Sequence, residues 1–311
     1  MKILLTGYSG FIGSHLVDIL KDKYDLKLLG RTKPTVNCDY FKSTIDSNGD
    51  YSSLMYGVDV VIHLAARAHI MNDTSTVPLE EFREVNLRGT LNIAKQAAQN
   101  GVKRFIYISS VKVLGEKTSI NRPFINTDIH NPLDAYGISK SEAECQLGML
   151  TTNKAMDFVI IRPPLVYGKG VKANFASLMK LVSYRIPLPF GAINFNKRSL
   201  VSVYNLVDLI NVCIDHPNAA NQIFLVSDDE DISTSEMVAL MAKVQGFQNY
   251  SLPLPVWCFH LLGKLLSKQD VIDRLVGSLQ VDITHTKNTL NWTPPFSIEE
   301  GFAKCIERSD V

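Results

Sequence analysis

The sequence predicts an α/β fold in which helices cover both faces of a parallel sheet. Short apolar runs of strand length alternate with longer helical patterns over roughly the first half of the 311-residue chain. Such alternation is typical of βαβ units, whose strands are buried on both faces. A run of glycines directly after the first apolar run is a second observation that favours this class.

The expected strands and helices follow one another in a regular order. The strand patterns are KILLTG (2–7), YDLKLLG (24–30), VDVVIHLAA (58–66), VKRFIYISS (102–110) and DFVIIRPPLVYG (157–168). The helical patterns are FIGSHLVDILKDK (11–23), LEEFREVNLRGTLNIAKQAAQNG (79–101) and DAYGISKSEAECQLGML (134–150). Gly101 closes the second helical pattern as a C-terminal cap.

The alternation loosens after Gly168, where prolines and short helical patterns appear. We expect a first domain over 1–168, to which the segment 199–226 returns. A smaller α/β lobe, assembled from 169–198 and 227–311, is expected beside it.

Composition excludes several classes of protein. The formal net charge of +1 gives no overall field that would attract a nucleic acid. The chain has five scattered cysteines without a CxxC spacing, so neither a disulfide framework nor a structural metal site is expected. Free thiols in a reducing compartment are the simpler interpretation.

The most apolar stretch is SLPLPVWCFHLLGKLLSK, residues 251–268. Prolines break its start and Lys264 interrupts it, so it is too short to span a bilayer. An amphipathic helix lying on a membrane is one reading, and a helix packed on its own domain is the expected one. With no signal peptide pattern at Met1, we expect a cytoplasmic protein without stable membrane association.

The opening glycines have a GxxGxxG spacing between a strand pattern and a helix pattern. Gly7 allows a tight exit from the strand, Gly10 lets the backbone approach a pyrophosphate, and Gly13 permits close packing of helix and strand. The positive end of the helix dipole then faces the phosphates. The pattern lacks the GK[ST] ending of a nucleoside-triphosphate loop, and it predicts a dinucleotide site.

The choice between NAD and NADP depends on the end of the second strand pattern. NAD sites usually carry an acidic residue there, whereas this chain has Gly30 followed by Arg31 and then Lys33. A cation at Arg31 suits the 2′-phosphate of NADP, and an exposed arginine beside an NAD site is the alternative.

The sequence AYGISK places Tyr136 and Lys140 four residues apart, on one face of a predicted helix. A nearby ammonium would lower the pKa of the phenol, so that Tyr136 could exchange a proton while a hydride moves to or from a nicotinamide. Ser109 and Ser110 end a predicted parallel strand, which is where ligands bind in open sheets. Ser110 could hydrogen-bond the reacting oxygen.

Together these motifs resemble the extended short-chain dehydrogenase/reductase family. The matching segments are the glycine motif, HLAA, VNLRGT, the strand-end serines, YxxxK and RPPLVYG, which occur in order over most of the chain. Within the family the chain is similar to nucleotide-sugar epimerases and 4-ketosugar reductases. The resemblance implies a Rossmann-type, doubly wound sheet with a second lobe that binds a nucleotide sugar.

The resemblance also implies roles for individual residues. Ser110, Tyr136 and Lys140 match the catalytic set. Asn86 matches an asparagine beside the cofactor that supports the active-site helix. The residues implied to bind NAD or NADP are Gly7, Gly10, Phe11, Ile12, Gly13, Arg31, Ile45, Leu64, Ala65, Ala66, Asn86, Ser109, Tyr136, Lys140 and Pro163.

In the second lobe the resemblance implies a site for a UDP-sugar. Asn174 and Phe175 match the start of a helix near the diphosphate, and Phe190 in PLPFG matches a residue against uracil. Arg198 and Arg274 match arginines on the diphosphate, which the guanidinium fork suits. Ser110 completes the set of residues implied to bind substrate.

The chain departs from the family pattern in several places. Val111 and Lys112 stand where sugar 4,6-dehydratases carry an acidic pair, so we expect no dehydratase activity. Leu114 and Leu165 replace a tyrosine and an asparagine of related enzymes. Thr44 or Asp46 takes the place of an acid on the adenine side. Two histidines stand near strand ends: His63 is expected in the core, and His69 could reach the substrate.

These observations predict hydride transfer at C4 of a UDP-hexose or a UDP-N-acetylhexosamine. A 4-epimerase with a retained NAD is the leading expectation, and an NADPH-dependent 4-ketosugar reductase is the alternative. A non-catalytic sensor of NAD(P) belongs to a different class, which typically lacks the Tyr–Lys pair. The resemblance also implies a homodimer formed by the helix of Tyr136 and the long helix before it.

Overall fold

A computed structural model describes residues 1–68, 77–151, 155–171 and 174–306 of the chain. His69 lies outside the described residues. The larger sheet has seven strands, namely β1 (Lys2–Thr6), β2 (Asp25–Gly30), β3 (Asp39–Lys42), β4 (Val60–His63), β5 (Arg104–Ile108), β6 (Asp157–Arg162) and β9 (Gln222–Leu225). They lie in the order β3-β2-β1-β4-β5-β6-β9, and every neighbouring pair is parallel.

The helices cover the sheet and build most of the second lobe. Their bounds are α1 (Phe11–Leu20), α2 (Pro78–Arg83), α3 (Thr90–Gln99), α4 (Ala135–Thr151), α5 (Asn174–Ser183), α6 (Val203–Cys213), α7 (Thr234–Val244), α8 (Val256–Leu265), α9 (Gln269–Val276), α10 (Thr284–Leu290) and α11 (Ile298–Ile306). Short 3₁₀ turns span Ser52–Met55, Val111–Val113 and Pro217–Ala219.

The structure confirms the doubly wound parallel sheet and the strands and helices predicted before Gly168, with three differences. The single strand predicted over 157–168 is two strands, Asp157–Arg162 in the large sheet and Leu165–Tyr167 in a second sheet, because Pro163 and Pro164 cannot donate to a ladder and separate them. A π-helical turn at Glu84–Gly89 interrupts the predicted helix over 79–101. Asn86 lies in this turn and is fully buried, and such turns are frequent at functional sites. No sequence pattern indicated β3, which has four residues and only half-buried or exposed side chains.

The strand order reverses between β1 and β4, because the chain runs outward from β1 through β2 to β3 on one side and then crosses back to β4 on the other side of β1. Alternate side chains of β1 fill two separate cores, with Ile3 and Leu5 on one face of the sheet and Leu4 on the other. Ligands of open α/β sheets bind in the crevice at such a reversal, beyond the carboxyl ends of the strands.

A second sheet of three strands, β10-β8-β7, lies in the other lobe. Its strands are β7 (Leu165–Tyr167), β8 (Arg198–Ser202) and β10 (Asp231–Ile232). The lobe has its own core, in which the ring of Tyr167 packs on those of Phe175 and Phe302.

The segment 199–226 contributes to both sheets. It begins in β8 of the small sheet, continues as α6 against α1, and ends in β9 at the edge of the large sheet. The division into 1–168 with 199–226, and 169–198 with 227–311, stays a prediction.

All five cysteines are free thiols. In the described part of the chain, no helix is long and apolar enough to cross a membrane. The same residues contain no group of three or more histidines, cysteines or acids placed to hold a metal. The homodimer stays a prediction.

Candidate active site

Four neighbouring strands end at one edge of the large sheet and deliver the predicted site residues there. Thr6 on β1 lies beside His63 on β4, which lies beside Tyr107 on β5. Ile108 at the end of β5 lies beside Ile161 on β6. The glycine loop, the alanines after β4, the serines after β5 and Pro163 after β6 therefore converge at this edge.

The glycine loop is a close backbone cradle. A Cβ atom on Gly7, whose φ is +72°, would lie 2.6 Å from the backbone nitrogen of Ala65. A Cβ on Gly13 would lie 2.3 Å from the carbonyl oxygen of Gly7. Helix α1 begins after Gly10 without a side-chain cap, so its first N–H groups point into the crevice.

The end of β2 has no acidic side chain, and the ring of Tyr8 packs against Gly30 instead. A Cβ on Gly30 would lie 2.8 Å from Cε1 of Tyr8. Tyr40 closes the cluster, since its ring meets that of Tyr8 edge to face and its hydroxyl donates to the Gly30 carbonyl at 3.2 Å. Arg31 follows directly and is exposed to solvent.

Lys140 is buried at the centre of the edge. Its Nζ donates to the carbonyl oxygen of Ile108 at 2.8 Å and lies 4.4 Å from the ring centroid of Tyr107. Burial lowers the pKa of Lys140 to about 7, against a smaller opposing effect of Glu144. The side chain can therefore change its charge near neutral pH.

Tyr136 lies one helical turn before Lys140, with Lys140 Nζ 6.0 Å from its ring centroid. Burial raises the pKa of Tyr136, and the nearby carboxylate of Asp134 raises it further. The expectation of a lowered phenol pKa was wrong for the protein alone. The loss of hydration and the charge of Asp134 both disfavour the phenolate.

Ser110 caps the 3₁₀ turn that follows β5, since its Oγ accepts from the backbone N–H of Lys112 at 3.2 Å. Lys112 then forms ion pairs with Glu116 and with Asp134. Asp134 in turn accepts from the backbone N–H of Gly137 at 2.7 Å and so caps α4. Lys112 thereby ties the Ser110 turn to the helix that carries Tyr136.

Asn86 supports the same helix, as the sequence predicts. Its fully buried side chain donates to Ser139 Oγ on α4 at 3.0 Å. The amide also accepts from the backbone N–H of Arg67 at 2.7 Å and donates to the Arg67 carbonyl at 3.1 Å. The chain after β4, which includes Ala65 and Ala66, is thus fixed against α4.

The remaining predicted cofactor residues lie around this edge. The Pro163 carbonyl accepts from Val111 N–H at 3.0 Å, and Ser109 N–H donates to the Ile161 carbonyl at 2.8 Å. Three side chains are half-buried, those of Phe11 and Ile12 at the start of α1 and that of Leu64 after β4. Ile45 packs beneath Gly89 of the π-helical turn.

A buried ionic network behind Lys140 was not recognised from the sequence. Glu144, one turn after Lys140, pairs with Arg162 at 2.6 Å, and both side chains are 2% exposed. His130 joins them, with its Nε2 2.7 Å from an Arg162 nitrogen. The sequence did contain one signal: Glu144 follows Lys140 at the same four-residue spacing by which Lys140 follows Tyr136, which places all three on one helix face. Arg162 immediately precedes Pro163, so the pair joins α4 to β6.

His63 is a core residue, as predicted, with its ring between Thr6 Oγ1 at 2.8 Å and Thr90 Oγ1 at 3.0 Å. Burial lowers its pKa to about 3, so the ring is neutral at physiological pH.

The second lobe brings Arg198 and Arg274 together. The guanidinium of Arg198 donates to the Arg274 carbonyl at 2.7 Å and to the Gly277 carbonyl at 3.1 Å. Burial and the charge of Arg274 lower the pKa of Arg198. Two cations in mutual repulsion are the arrangement that an anion would stabilise.

The two predicted phenylalanines of the second lobe are core side chains. Phe190 is buried and stacks on Phe259 at a centroid distance of 6.1 Å, and Phe175 lies against Tyr167. Their contact with a uridine stays a prediction. Asn174 begins α5, beside Phe175.

The sequence was compared with protein families and with known proteins. Residues 3–227 match the model of the NAD dependent epimerase/dehydratase family. The chain belongs to this family.

Individual relatives support the assignment. A UDP-glucose 4-epimerase of Vibrio cholerae is 55% identical over 98% of this chain and 94% of its own length. An N-acetyl-α-D-glucosaminyl-diphospho-ditrans,octacis-undecaprenol 4-epimerase of Escherichia coli O157:H7 is 26% identical, over 98% of this chain and 94% of its own.

Among solved structures, the UDP-glucose 4-epimerase of Thermotoga maritima with UDP-glucose has a TM-score of 0.76 at 23% identity, covering 98% of this chain and 97% of that one. The UDP-glucuronic acid 4-epimerase of Bacillus cereus with NAD has a TM-score of 0.76 at 21% identity, covering 98% and 95%. At these identities the structures share the fold of this chain.

The family name implies a dinucleotide, and the crevice fits one. Gly7 and Gly13 have backbone so close by that neither could carry a Cβ, which brings the loop tightly against the chain after β4 and the start of α1. The uncapped start of α1 offers N–H donors to a pyrophosphate. The nicotinamide end would then lie toward Lys140 and Pro163, at the edge where the strands end.

Replacing Gly7 by alanine tests the cradle. We expect Gly7→Ala to weaken dinucleotide binding more than about tenfold, because the methyl group meets the backbone of Ala65 and closes the cradle. Gly57→Ala is the matched control, since Gly57 has a φ of +69° but a Cβ there would meet nothing within 4 Å. Titration with NAD measures both variants, and equal losses of affinity would show that only backbone strain matters.

Replacing Lys140 by methionine tests the cost of its burial. The lowered pKa means that the folded protein loses, between pH 7 and 10.5, a proton that the unfolded chain keeps. Its stability therefore rises over this range. We expect Lys140→Met to raise the free energy of unfolding most below pH 7, with a gain that fades toward pH 10.5.

Urea unfolding at several pH values measures this effect. Lys103→Met is the control, because its side chain is 77% exposed. It should change stability by less than about 1 kcal/mol throughout. A Lys140→Met variant that is destabilised at acidic pH would contradict the account.

Proposed function

We propose that the protein is a UDP-sugar 4-epimerase that uses NAD. The observation that carries the proposal is the convergence of Ser110, Tyr136 and Lys140 beside the glycine cradle. The 55% identity to a UDP-glucose 4-epimerase over nearly the whole chain supports this reaction. The resulting activity would invert C4 of a UDP-hexose or UDP-N-acetylhexosamine.

Inversion at C4 requires a hydride to leave C4 and to return to the opposite face of that carbon. A proton leaves the C4 oxygen in the first step and returns to it in the second. Bound NAD supplies the hydride acceptor and donor. Tyr136 takes the proton of the C4 hydroxyl and later returns it, while Ser110 Oγ holds that oxygen by a hydrogen bond. Lys140 provides the positive charge that the developing phenolate needs.

The raised pKa of Tyr136 has a consequence for this role. Because its pKa is raised, the phenol stays protonated near neutral pH, which is the form needed to donate to the oxygen of a 4-keto sugar as it is reduced. The reverse step needs added positive charge near the phenol, and Lys140 one turn away is the protein group placed to give it.

Arg198 and Arg274 are proposed to bind the diphosphate of the substrate. Arg198 is already fixed by two backbone carbonyls, which leaves its remaining N–H groups to an anion. Arg274 on α9 is exposed and acts electrostatically on Asp134, next to the catalytic helix. The diphosphate would thus lie within reach of the lobe while the sugar extends toward Tyr136.

A dehydratase activity is not proposed. Elimination of water needs a further acid and base, and Val111 and Lys112 stand at the positions after Ser110. Lys112 is committed to ion pairs with Glu116 and Asp134, in a structural role. This arrangement positions α4 instead of acting on the sugar.

A second candidate is an NADPH-dependent 4-ketosugar reductase, which performs only the returning half of the reaction. The exposed Arg31 directly after β2 favours it, because no acidic side chain lies at that strand end to prefer a 2′-hydroxyl. The two candidates share Ser110, Tyr136 and Lys140 and differ in whether the dinucleotide is kept or exchanged.

Removing the hydroxyl of Tyr136 tests the proposal. We expect Tyr136→Phe to lower kcat for the conversion of UDP-glucose to UDP-galactose by about 10²- to 10⁴-fold, because the proton has no other carrier. Affinity for UDP should stay within about threefold, since the residues proposed to bind the uridine diphosphate belong to the other lobe.

Tyr56→Phe is the matched control, because this side chain is 84% exposed. Conversion by Tyr136→Phe at the rate of the unaltered protein would contradict the proposed chemistry and would favour a non-catalytic dinucleotide sensor.

A further inference from the structure

Helix α8 turns its larger apolar face outward. Of its ten residues only Phe259 and Gly263 are buried, and they contact the lobe. A Cβ on Gly263 would lie 2.8 Å from Ile272 of α9, which shows how closely that side is packed. The helix predicted within 251–268 does pack on its own lobe, but through its narrower side.

The outward face of α8 is apolar, and the chain that leads into the helix also exposes apolar side chains. Trp257, Leu261 and Leu265 are spaced by four residues and lie in one stripe, beside Leu262 and Leu266. Exposed fractions along this surface, which we call the α8 face, range from 46% to 77% for Tyr250, Leu252, Trp257, Leu261, Leu262, Leu265 and Leu266. A surface of this kind marks an interaction site.

The charges on the α8 face indicate what covers it. Between Tyr250 and Lys268 the chain carries two lysines, Lys264 and Lys268, and no acidic residue. Both lysines are exposed at the edge of the apolar stripe. Apolar residues with a tryptophan, flanked by lysines, suit the boundary between acyl chains and anionic headgroups of a bilayer.

A second copy of the chain suits this face less well. A two-fold interface would pair the face with itself, and the lysines of each copy would find no acidic partner on the same segment of the other. The helix has ten residues and is far too short to cross a bilayer. Lying at the surface is the arrangement that leaves the lysines at the headgroups.

We propose that the α8 face docks the protein reversibly on the surface of an anionic phospholipid bilayer. This inference does not depend on the proposed reaction. It would place the mouth of the candidate site near the membrane, because α8 packs on α9, which carries Arg274. Such docking is peripheral and salt-sensitive.

Tryptophan fluorescence and vesicle sedimentation test the proposal with the full chain. The chain has two tryptophans. Trp257 is 66% exposed and Trp292 is 5% exposed, so a blue shift on adding vesicles reports Trp257. At about 0.1 M salt, we expect the shift and co-sedimentation with phosphatidylglycerol/phosphatidylcholine vesicles, and several-fold weaker binding to phosphatidylcholine alone.

Two exposed leucines provide the decisive variant. We expect the double variant Leu261→Gln, Leu265→Gln to bind the anionic vesicles at least about tenfold more weakly. The double variant Ile129→Gln, Leu133→Gln is the control, because these side chains are 89% and 67% exposed at another surface. It should bind like the unaltered protein.

Two results would overturn the proposal. One is a protein that stays in the supernatant with anionic vesicles and shows no blue shift. The other is a dimer, seen by sedimentation without lipid, that the Leu261→Gln, Leu265→Gln variant splits into monomers, since a second copy would then cover the α8 face.

Discussion

The ammonium of Lys140 is buried where four parallel strands end, and the arrangement of the site follows from how it is held. It donates to the Ile108 carbonyl and lies over the face of Tyr107. These partners offset part of the lost hydration, and burial brings its pKa to about 7. The carbonyl is available because β5 ends at Ile108, and the same strand end presents Ser110.

The helix that carries Lys140 is fixed at two places by charge. Asp134 caps its start and is tied to the Ser110 turn through Lys112. Glu144, one turn beyond Lys140, is paired with Arg162 on β6. Breaking a buried pair leaves an uncompensated charge, so this contact holds α4 firmly against the sheet. Tyr136, near the start of α4, is thereby held in place from both ends of the helix, as the proposed proton transfer requires.

Local spacing predicted the parts of this site that depend on short stretches of chain. A tight turn fixes the arrangement of the glycines that begin at Gly7, and a helix places Tyr136 and Lys140 on one face. Their relative positions can therefore be predicted from spacing alone. The contacts of Lys112 with Asp134 and of Glu144 with Arg162 join distant segments, so no local pattern shows them. The phenol pKa was mispredicted for the same reason, because the burial of Tyr136 and the nearness of the Asp134 charge depend on how α4 packs in the folded chain. The outward face of α8 depends on which side α9 covers.

The central claim is that a hydride leaves and returns to C4 through an NAD that the protein retains. The nucleotide that the purified protein carries tests this claim most directly. The protein is denatured, and the released nucleotide is identified by mass and quantified against the chain. The account predicts close to one NAD per chain and conversion of UDP-glucose to UDP-galactose without added cofactor. A protein that carries no nucleotide, binds NADPH more tightly than NADH and converts UDP-glucose only negligibly would contradict the epimerase and assign Arg31 to a 2′-phosphate.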